Sequence, residues 1–450
     1  MLPRLPIDRL LVVGDPLSAF AFLWAFALLS HQVGYRMIGT SLPDTALAVV
    51  ALLVLVAPGL PWLVATLAAV HVAAVLWDLP FLYHHWQYAG LVSLALLLAR
   101  LSAWRARDAG TALTPAAVHA AFTPAGRVSL VLLYLASGFH KLNADFIASN
   151  ASCASALYLS LSRRLGGLPY PDFTVPLNVA LTLGVELGVP LLLAVPRLWF
   201  GGVVIGVGFH VVMALAGYPR FSAMGFALLT LCLPPPVPVP RPAVRLGVAA
   251  VLLPGVVPAR FDDARYLAVT LVLAMFVVLV TALAVVRGRR PGPLVARPRG
   301  IAWPAMLAPA LVLFAAASPY LGLGTARALS MYSNLRTEGG RTNHLLVPAG
   351  SQRFGYQRDL VEVLGSSDPG LQALATDRLA VPFQELRARL TEALGEGAAD
   401  VSVSYLRGGA RYDVPSVRAA PDLDLPVSGF ALKFLRFRAI EISGPRACGA

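Results

Sequence analysis

The hydrophobic pattern divides the chain into apolar runs near 15–33, 45–57, 60–77, 86–101, 126–142, 175–195, 198–216, 220–233, 244–258, 265–286 and 302–322. A spanning helix needs about 20 mostly apolar residues. Pro190 and Pro254 interrupt two of the runs, and those near 220–233 and 244–258 are the weakest. The pattern therefore predicts an all-α polytopic membrane bundle of roughly nine to eleven transmembrane helices. The first run lacks a clean signal-peptide cleavage site and reads as a retained span. Beyond 322 the periodicity changes. An amphipathic helix is predicted over 381–394, strand-like runs over 400–406 and 429–436, and a turn at Gly408-Gly409. These signals separate a transmembrane domain, 1–322, from a small C-terminal α+β region, 323–450.

Charge orients this plan. Arg100, Arg105 and Arg107 follow the fourth run, and Arg287, Arg289, Arg290, Arg297 and Arg299 follow the tenth. The two clusters share a face by parity, as do Arg4 and Arg9 before the first run, and basic loops favour the cytoplasmic side. The N-terminus is then cytoplasmic, and the fifth run carries its end outward. The segment 143–174 and the C-terminal region are extracytoplasmic, in what reads as a bacterial plasma membrane. Composition agrees: 57% of residues are hydrophobic and 13% charged, with a mean hydropathy of +0.71. Soluble domains carry about 25% charge. The net charge of +13 is accounted for by these loops, so no nucleic-acid partner is implied; the bilayer is the expected partner. Cys153, Cys232 and Cys448 lie too far apart in sequence to read as a zinc or disulfide framework.

Ionisable side chains at membrane depth are costly and mark candidate sites. Only Lys141 and Lys433 among the 36 basic residues are lysines. Lys141 ends the fifth run, where a desolvated amine can act as a base, whereas arginine stays charged; a snorkelling anchor is the plainer reading. His84 and His85 open the fourth run among interfacial aromatics, level with Lys141. Glu186 is the acid in mid-span of the sixth run, and His210 follows a glycine-rich stretch of the seventh. His140, Asn143 and Asp145 surround Lys141 at the mouth. His31 and His71 read as satisfied packing residues. No spacing matches a metal motif, phosphate loop or nucleophile elbow, and the set suits proton transfer on a lipid-soluble substrate.

Ser137-Gly138-Phe139-His140-Lys141-Leu142-Asn143-Ala144-Asp145-Phe146 resembles the Gly-x-x-Lys-Leu-(Asn/Asp)-x-Asp-aromatic signature of the vitamin K-dependent gamma-carboxylase family, whose bacterial members are called HTTM (horizontally transferred transmembrane) domain proteins. His85 before Gly90-Leu91, Glu186, Phe209-His210, and the stretch from Met331 through Asn343-His344 resemble further family segments. The resemblance covers most of residues 10–350. It implies that Lys141 deprotonates a reduced quinone (vitamin K hydroquinone or menaquinol), with His85 as an oxyanion or relay partner. His84, His140, Asn143, Asp145, Glu186 and His210 would bind and position the quinone. Dioxygen and carbon dioxide would be co-substrates, no metal would be needed, and a protein or peptide acceptor would be carboxylated in lyase- and oxygenase-type chemistry. Ala21 stands where family members commonly carry arginine, and the tail is short, so a propeptide-tagged acceptor is not implied. Two other readings remain: a proton-coupled transporter relaying through Glu186, His210 and Lys141, and a non-catalytic scaffold for the C-terminal region.

Overall fold

The computed structural model describes residues 11–107, 110–148, 151–235, 237–256, 263–289, 303–395, 399–424, 427–446 and 448. Arg4, Arg9, Arg290, Arg297 and Arg299 lie outside them. A short strand, β1 (Leu11–Val13), leads into α1 (Pro16–Gly34). The Asp15 carboxylate accepts the Ser18 N–H at 2.9 Å, and Pro16 opens the helix, as its fixed φ and missing donor allow. Then come α2 (Leu42–Val56), α3 (Pro61–Asp78), α4 (His84–Ala106) and α5 (Pro115–His140). Two short helices, α6 (Ala144–Ala148) and α7 (Cys153–Arg164), precede α8 (Thr174–Ala194), α9 (Trp199–Leu215) and α10 (Pro219–Thr230). Strand β2 (Pro238–Pro240), α11 (Pro242–Val256), α12 (Asp263–Val286) and α13 (Leu307–Leu321) complete the bundle.

Every predicted apolar run is thus helical, but not every one is a full span. Seven helices are long and apolar enough to cross a bilayer, which is compatible with an integral membrane protein. α2, α9 and the described part of α11 are apolar but shorter. α10 is the clearest departure. Its 12 residues rise only about 18 Å, and it is buried against α1 and α9. The chain leaves it through turns at Leu231–Leu233, and β2 then pairs antiparallel with β1 beside the start of α1. The buried Arg127 of α5 donates from Nε to the Leu231 carbonyl at 2.6 Å, satisfying one of the acceptors that a helix end leaves without a partner. α1 sits at the centre, buried along almost its whole length. The outer helices keep leucine, valine and aromatic side chains exposed, Leu53, Trp62, Leu181, Val272 and Phe314 among them, as contact with acyl chains requires.

The C-terminal region is a small α+β unit. β3 (Leu360–Ser366), α14 (Pro369–Thr376), β4 (Leu379–Pro382), α15 (Phe383–Ala393), β5 (Val403–Arg407) and β6 (Ala410–Val414) are followed by α16 (Pro421–Asp424), α17 (Gly429–Phe434) and β7 (Ile440–Glu441). The strands form one antiparallel sheet in the order β6-β5-β3-β4-β7. Its core joins Val361, Val363 and Tyr405 to Leu371, Leu386 and Leu390 of α14 and α15. Gly408 and Gly409 make the β5–β6 turn with φ +57° and +83°, the left-handed pair a tight hairpin asks of glycine. The expected strand over 429–436 is instead α17. Ser428 caps it by accepting the Ala431 N–H, and its far end is drawn to Glu385 through Arg436.

Residues 323–346 bind this unit to the bundle as an irregular strap. Thr325, Ala328, Leu329, Ser333, Thr337 and Glu338 in it are buried. A disulfide between Cys153 and Cys448 ties the start of α7 to the far end of the chain, with Cα atoms 5.0 Å apart, well inside the range that a disulfide can bridge. Of the three cysteines, only the buried Cys232 is then a free thiol. We expect one alkylatable thiol in the denatured protein before reduction and three after it. Cys153→Ser should expose the 440–446 segment to proteases without unfolding the bundle; three reactive thiols before reduction would contradict the pairing.

Candidate functional site

Lys141 is the C-cap residue of α5, and its amine is enclosed by protein. Nζ lies 2.9 Å from Glu186 Oε2 and 3.0 Å from Glu186 Oε1. It donates to Ser137 Oγ one turn earlier on α5 at 2.8 Å and to the Met331 carbonyl of the strap at 3.3 Å. Ser137 Oγ donates in turn to Glu186 Oε1 at 3.0 Å, so amine, hydroxyl and carboxylate close a triangle. Both charged side chains are buried, at 3% and 7% exposure. Gly138 makes the approach of α8 to α5 possible: a Cβ there would stand 2.7 Å from Leu187 Cδ2 and 3.2 Å from Glu186 Cβ.

The triangle forms one wall of a cavity of about 440 Å³, within the size range of small-molecule sites, roughly 300–1,000 Å³. His84 and His85 line it, with Tyr35, Tyr83, Tyr218, Tyr332 and Arg220. The Arg220 guanidinium lies 5.1 Å from the centre of the Tyr35 ring, in room left by Gly34, where a Cβ would collide with it. Leu157, Tyr158 and Leu161 of α7 form a cover, and Leu181, Val185, Ile205 and Val212 of α8 and α9 form an apolar side. Leu181, Ile205 and Val212 also keep 56%, 42% and 49% of their surface accessible.

The sequence candidates divide into two groups. Lys141, Glu186, His84 and His85 share the cavity. His84 Nδ1 accepts the Leu329 N–H at 3.2 Å, which leaves its Nε2–H as the remaining donor of a neutral ring. His85 Nε2 is buried with no hydrogen-bond partner; its ring stands 5.6 Å from Tyr83 and 6.1 Å from Phe221. His140, Asn143, Asp145 and His210 are not among the cavity-lining residues. His140 bridges Tyr320 OH (2.8 Å) and the Ala328 carbonyl (2.9 Å). Asn143 donates to the carbonyls of His140 and Ser333 and accepts the Phe146 N–H. Asp145 accepts from Asn343 and from the Arg446 N–H. These three fasten the strap and the chain end over α5, so the lysine motif builds the frame around Lys141 as well as supplying the amine. His210 packs among Phe209, Phe221 and Phe226, and a Cβ on Gly225 would lie 2.2 Å from its ring.

Sequence reading assigned no role to Ser137, although it stands one turn before Lys141, and it missed Arg220, Tyr35, Tyr218 and Tyr332, which are spread over separate elements and carry no spacing signal. His31 is also not the satisfied residue expected. It is stacked 3.9 Å from Trp86 and 5.1 Å from His85, with neither ring nitrogen hydrogen-bonded to protein. His71 is half satisfied, through Ser93 Oγ at 2.8 Å. The strap itself is strained where it passes the lysine: Leu329, Tyr332 and Asn334 have φ of +58°, +50° and +54°, a region non-glycine residues enter at a cost of about 1–3 kcal/mol each. Burial, with Tyr218 alongside, pushes the Tyr332 phenol above its ordinary value, so it stays a neutral donor facing the cavity. Among the described residues no group of three or more His, Cys, Asp or Glu side chains is placed to hold a metal ion.

Compared with protein-family models, with curated proteins and with solved structures, the chain matches none.

Proposed function

We propose that this is a membrane enzyme that uses Lys141 as the base on a reduced quinone, in the manner of the vitamin K-dependent carboxylases that its lysine motif resembles. The observation that carries the reading is the buried Lys141–Ser137–Glu186 triangle, set in the wall of a cavity whose α8–α9 side is apolar. A quinol dissolved in the bilayer would enter between α8 and α9 and present its hydroxyl to the triangle.

As the base, Lys141 would take the quinol hydroxyl proton, with Glu186 and Ser137, each hydrogen-bonded to the amine and to one another, holding it in place. The Nε2–H of His84 would supply a hydrogen bond for a substrate oxygen, with His85 lining the cavity beside it. Quinol and dioxygen would supply the oxidising chemistry, and carbon dioxide would add to an acceptor drawn from a protein or peptide. The Cys153–Cys448 disulfide supports an oxidising, extracytoplasmic setting for this end of the bundle, the same side that the arginine clusters assign.

The test is quinol turnover by purified protein in lipid nanodiscs, read as loss of menaquinol or vitamin K hydroquinone and appearance of its epoxide. Removing a general base costs about 10²–10⁴-fold in rate, and Lys141→Ala should fall by that much. A Lys141→Ala protein that turns over quinol at the wild-type rate would falsify the reading.

A further inference from the structure

The helix α17 stands where alternation predicts a strand, and it faces outward with aromatic rings. Phe430 is 68% exposed and Phe434 46%, with ring centres 5.0 Å apart. Two contacts fix its height on the molecule. Lys433 Nζ donates to the Leu76 carbonyl in the last turn of α3 at 3.0 Å. The Arg436 guanidinium lies 5.7 Å from the centre of the Phe81 ring, just past α3. α3 has 18 residues and is about 27 Å long at 1.5 Å per residue, close to the ~30 Å hydrocarbon core it is apolar enough to cross. Its last turn therefore falls near the boundary between acyl chains and headgroups. The side chains there, Leu76, Trp77 and Phe81, are themselves exposed, Phe81 by 77%.

Phe430 and Phe434 thus continue the outward face of a spanning helix, at the depth where aromatic rings collect, and Lys433 stands beside them. We propose that α17, with Trp77 and Phe81, is an interfacial anchor whose aromatic side chains insert among phospholipids of the leaflet where α3 ends. Lys433 lies at headgroup level, with its stem along the apolar surface, while Arg436 is held inward by Glu385 and Glu392 and ties the helix to its unit. A membrane-bound α17 holds the C-terminal unit at a fixed height, and with it the strap that places the Met331 carbonyl against Lys141.

The experiment uses the whole chain with its disulfide intact, in phosphatidylcholine–phosphatidylglycerol vesicles, carrying a nitroxide at Phe430→Cys or, in a second variant, at Phe434→Cys. The reference is Tyr412→Cys on β6, the sheet edge opposite β7. Collision with lipid-soluble oxygen and with a water-soluble nickel chelate is read by power saturation. Labels at 430 and 434 should favour oxygen over nickel several-fold more than the label at 412. Equal ratios at all three positions would overturn the anchor. So would spectral broadening at 430 that disappears on dilution into excess lipid, because that outcome means the face is covered by a second copy of the chain. Neither outcome touches the quinol reading, which is tested by turnover.

Discussion

Glu186→Ala is expected to be the most destabilising single change in the bundle, at about 3–5 kcal/mol, because it leaves the Lys141 ammonium buried without its counter-charge. The carboxylate makes both the ion pair and the Ser137 hydrogen bond, and no other acid lines the cavity among the described residues. The double variant Lys141→Met, Glu186→Leu should behave differently. Replacing a buried ion pair with apolar side chains of similar size is often neutral or stabilising, so the double variant should recover most of the loss in a denaturant titration in detergent. Quinol turnover should be absent from both proteins. That contrast separates the structural weight of the pair from its chemical role. If the single variant were as stable as the parent, Glu186 would not be compensating a buried charge, and the structural weight assigned to the pair would be wrong.

Much of this architecture was legible along the chain because lipid imposes a strong pattern. Continuous apolar length is what the bilayer selects, and each predicted run became a helix. α10 deceived because Leu231, Cys232 and Leu233 extend its run in composition while Pro234 and Pro235 follow directly. Hydropathy counts such residues as a span, but proline's missing N–H ends the helix. Pairing was less visible. Lys141 and Glu186 were each singled out by their cost at membrane depth, yet nothing in a single sequence joins residues 45 positions apart. Their meeting depends on Gly138, whose missing side chain lets α8 come close, and that is a property of packing.

In the C-terminal region water leaves a weaker signature. The alternation from Gly429 to Arg436 is real, but a short segment takes its form from its partners. Ser428 offers a cap, and Glu385 and Glu392 pull Arg436 inward. His31 was misjudged for a similar reason: its aromatic neighbours explain its burial without satisfying its nitrogens. The residues that define the cavity beyond the lysine motif come from the end of α1, the start of α4, α7, α8, α9, α10 and the strap. Only the fold brings them into one wall.

The second large effect should come from Glu385→Ala, at the join between the C-terminal unit and the strap. Glu385 is buried in the first turn of α15. Its two oxygens accept from Arg436 Nη2 and Nε at 3.0 Å each, from the Phe437 N–H at 3.0 Å and from Arg389 Nε at 2.9 Å. Burial alone would lower the Arg436 value, but its bonds to Glu385 and then Glu392 hold the guanidinium above its ordinary range. Arginine stays protonated in a protein, so Arg436 remains a cation when Glu385 is removed, and Glu392, which is partly exposed, is left as its acid. Losing a buried bidentate partner costs about 3–5 kcal/mol. The damage should spread in one direction, because the Arg436 carbonyl accepts the N–H groups of Thr325 and Ala326 at the head of the strap. Hydrogen exchange should accelerate over 429–438 and 325–338 while β3 and β5 keep their protection. Glu385→Gln, which retains an acceptor oxygen, should fall between the two. Unchanged exchange in 325–338 would mean that the strap is held by the bundle alone, and that the C-terminal unit has no leverage on the carbonyl facing Lys141.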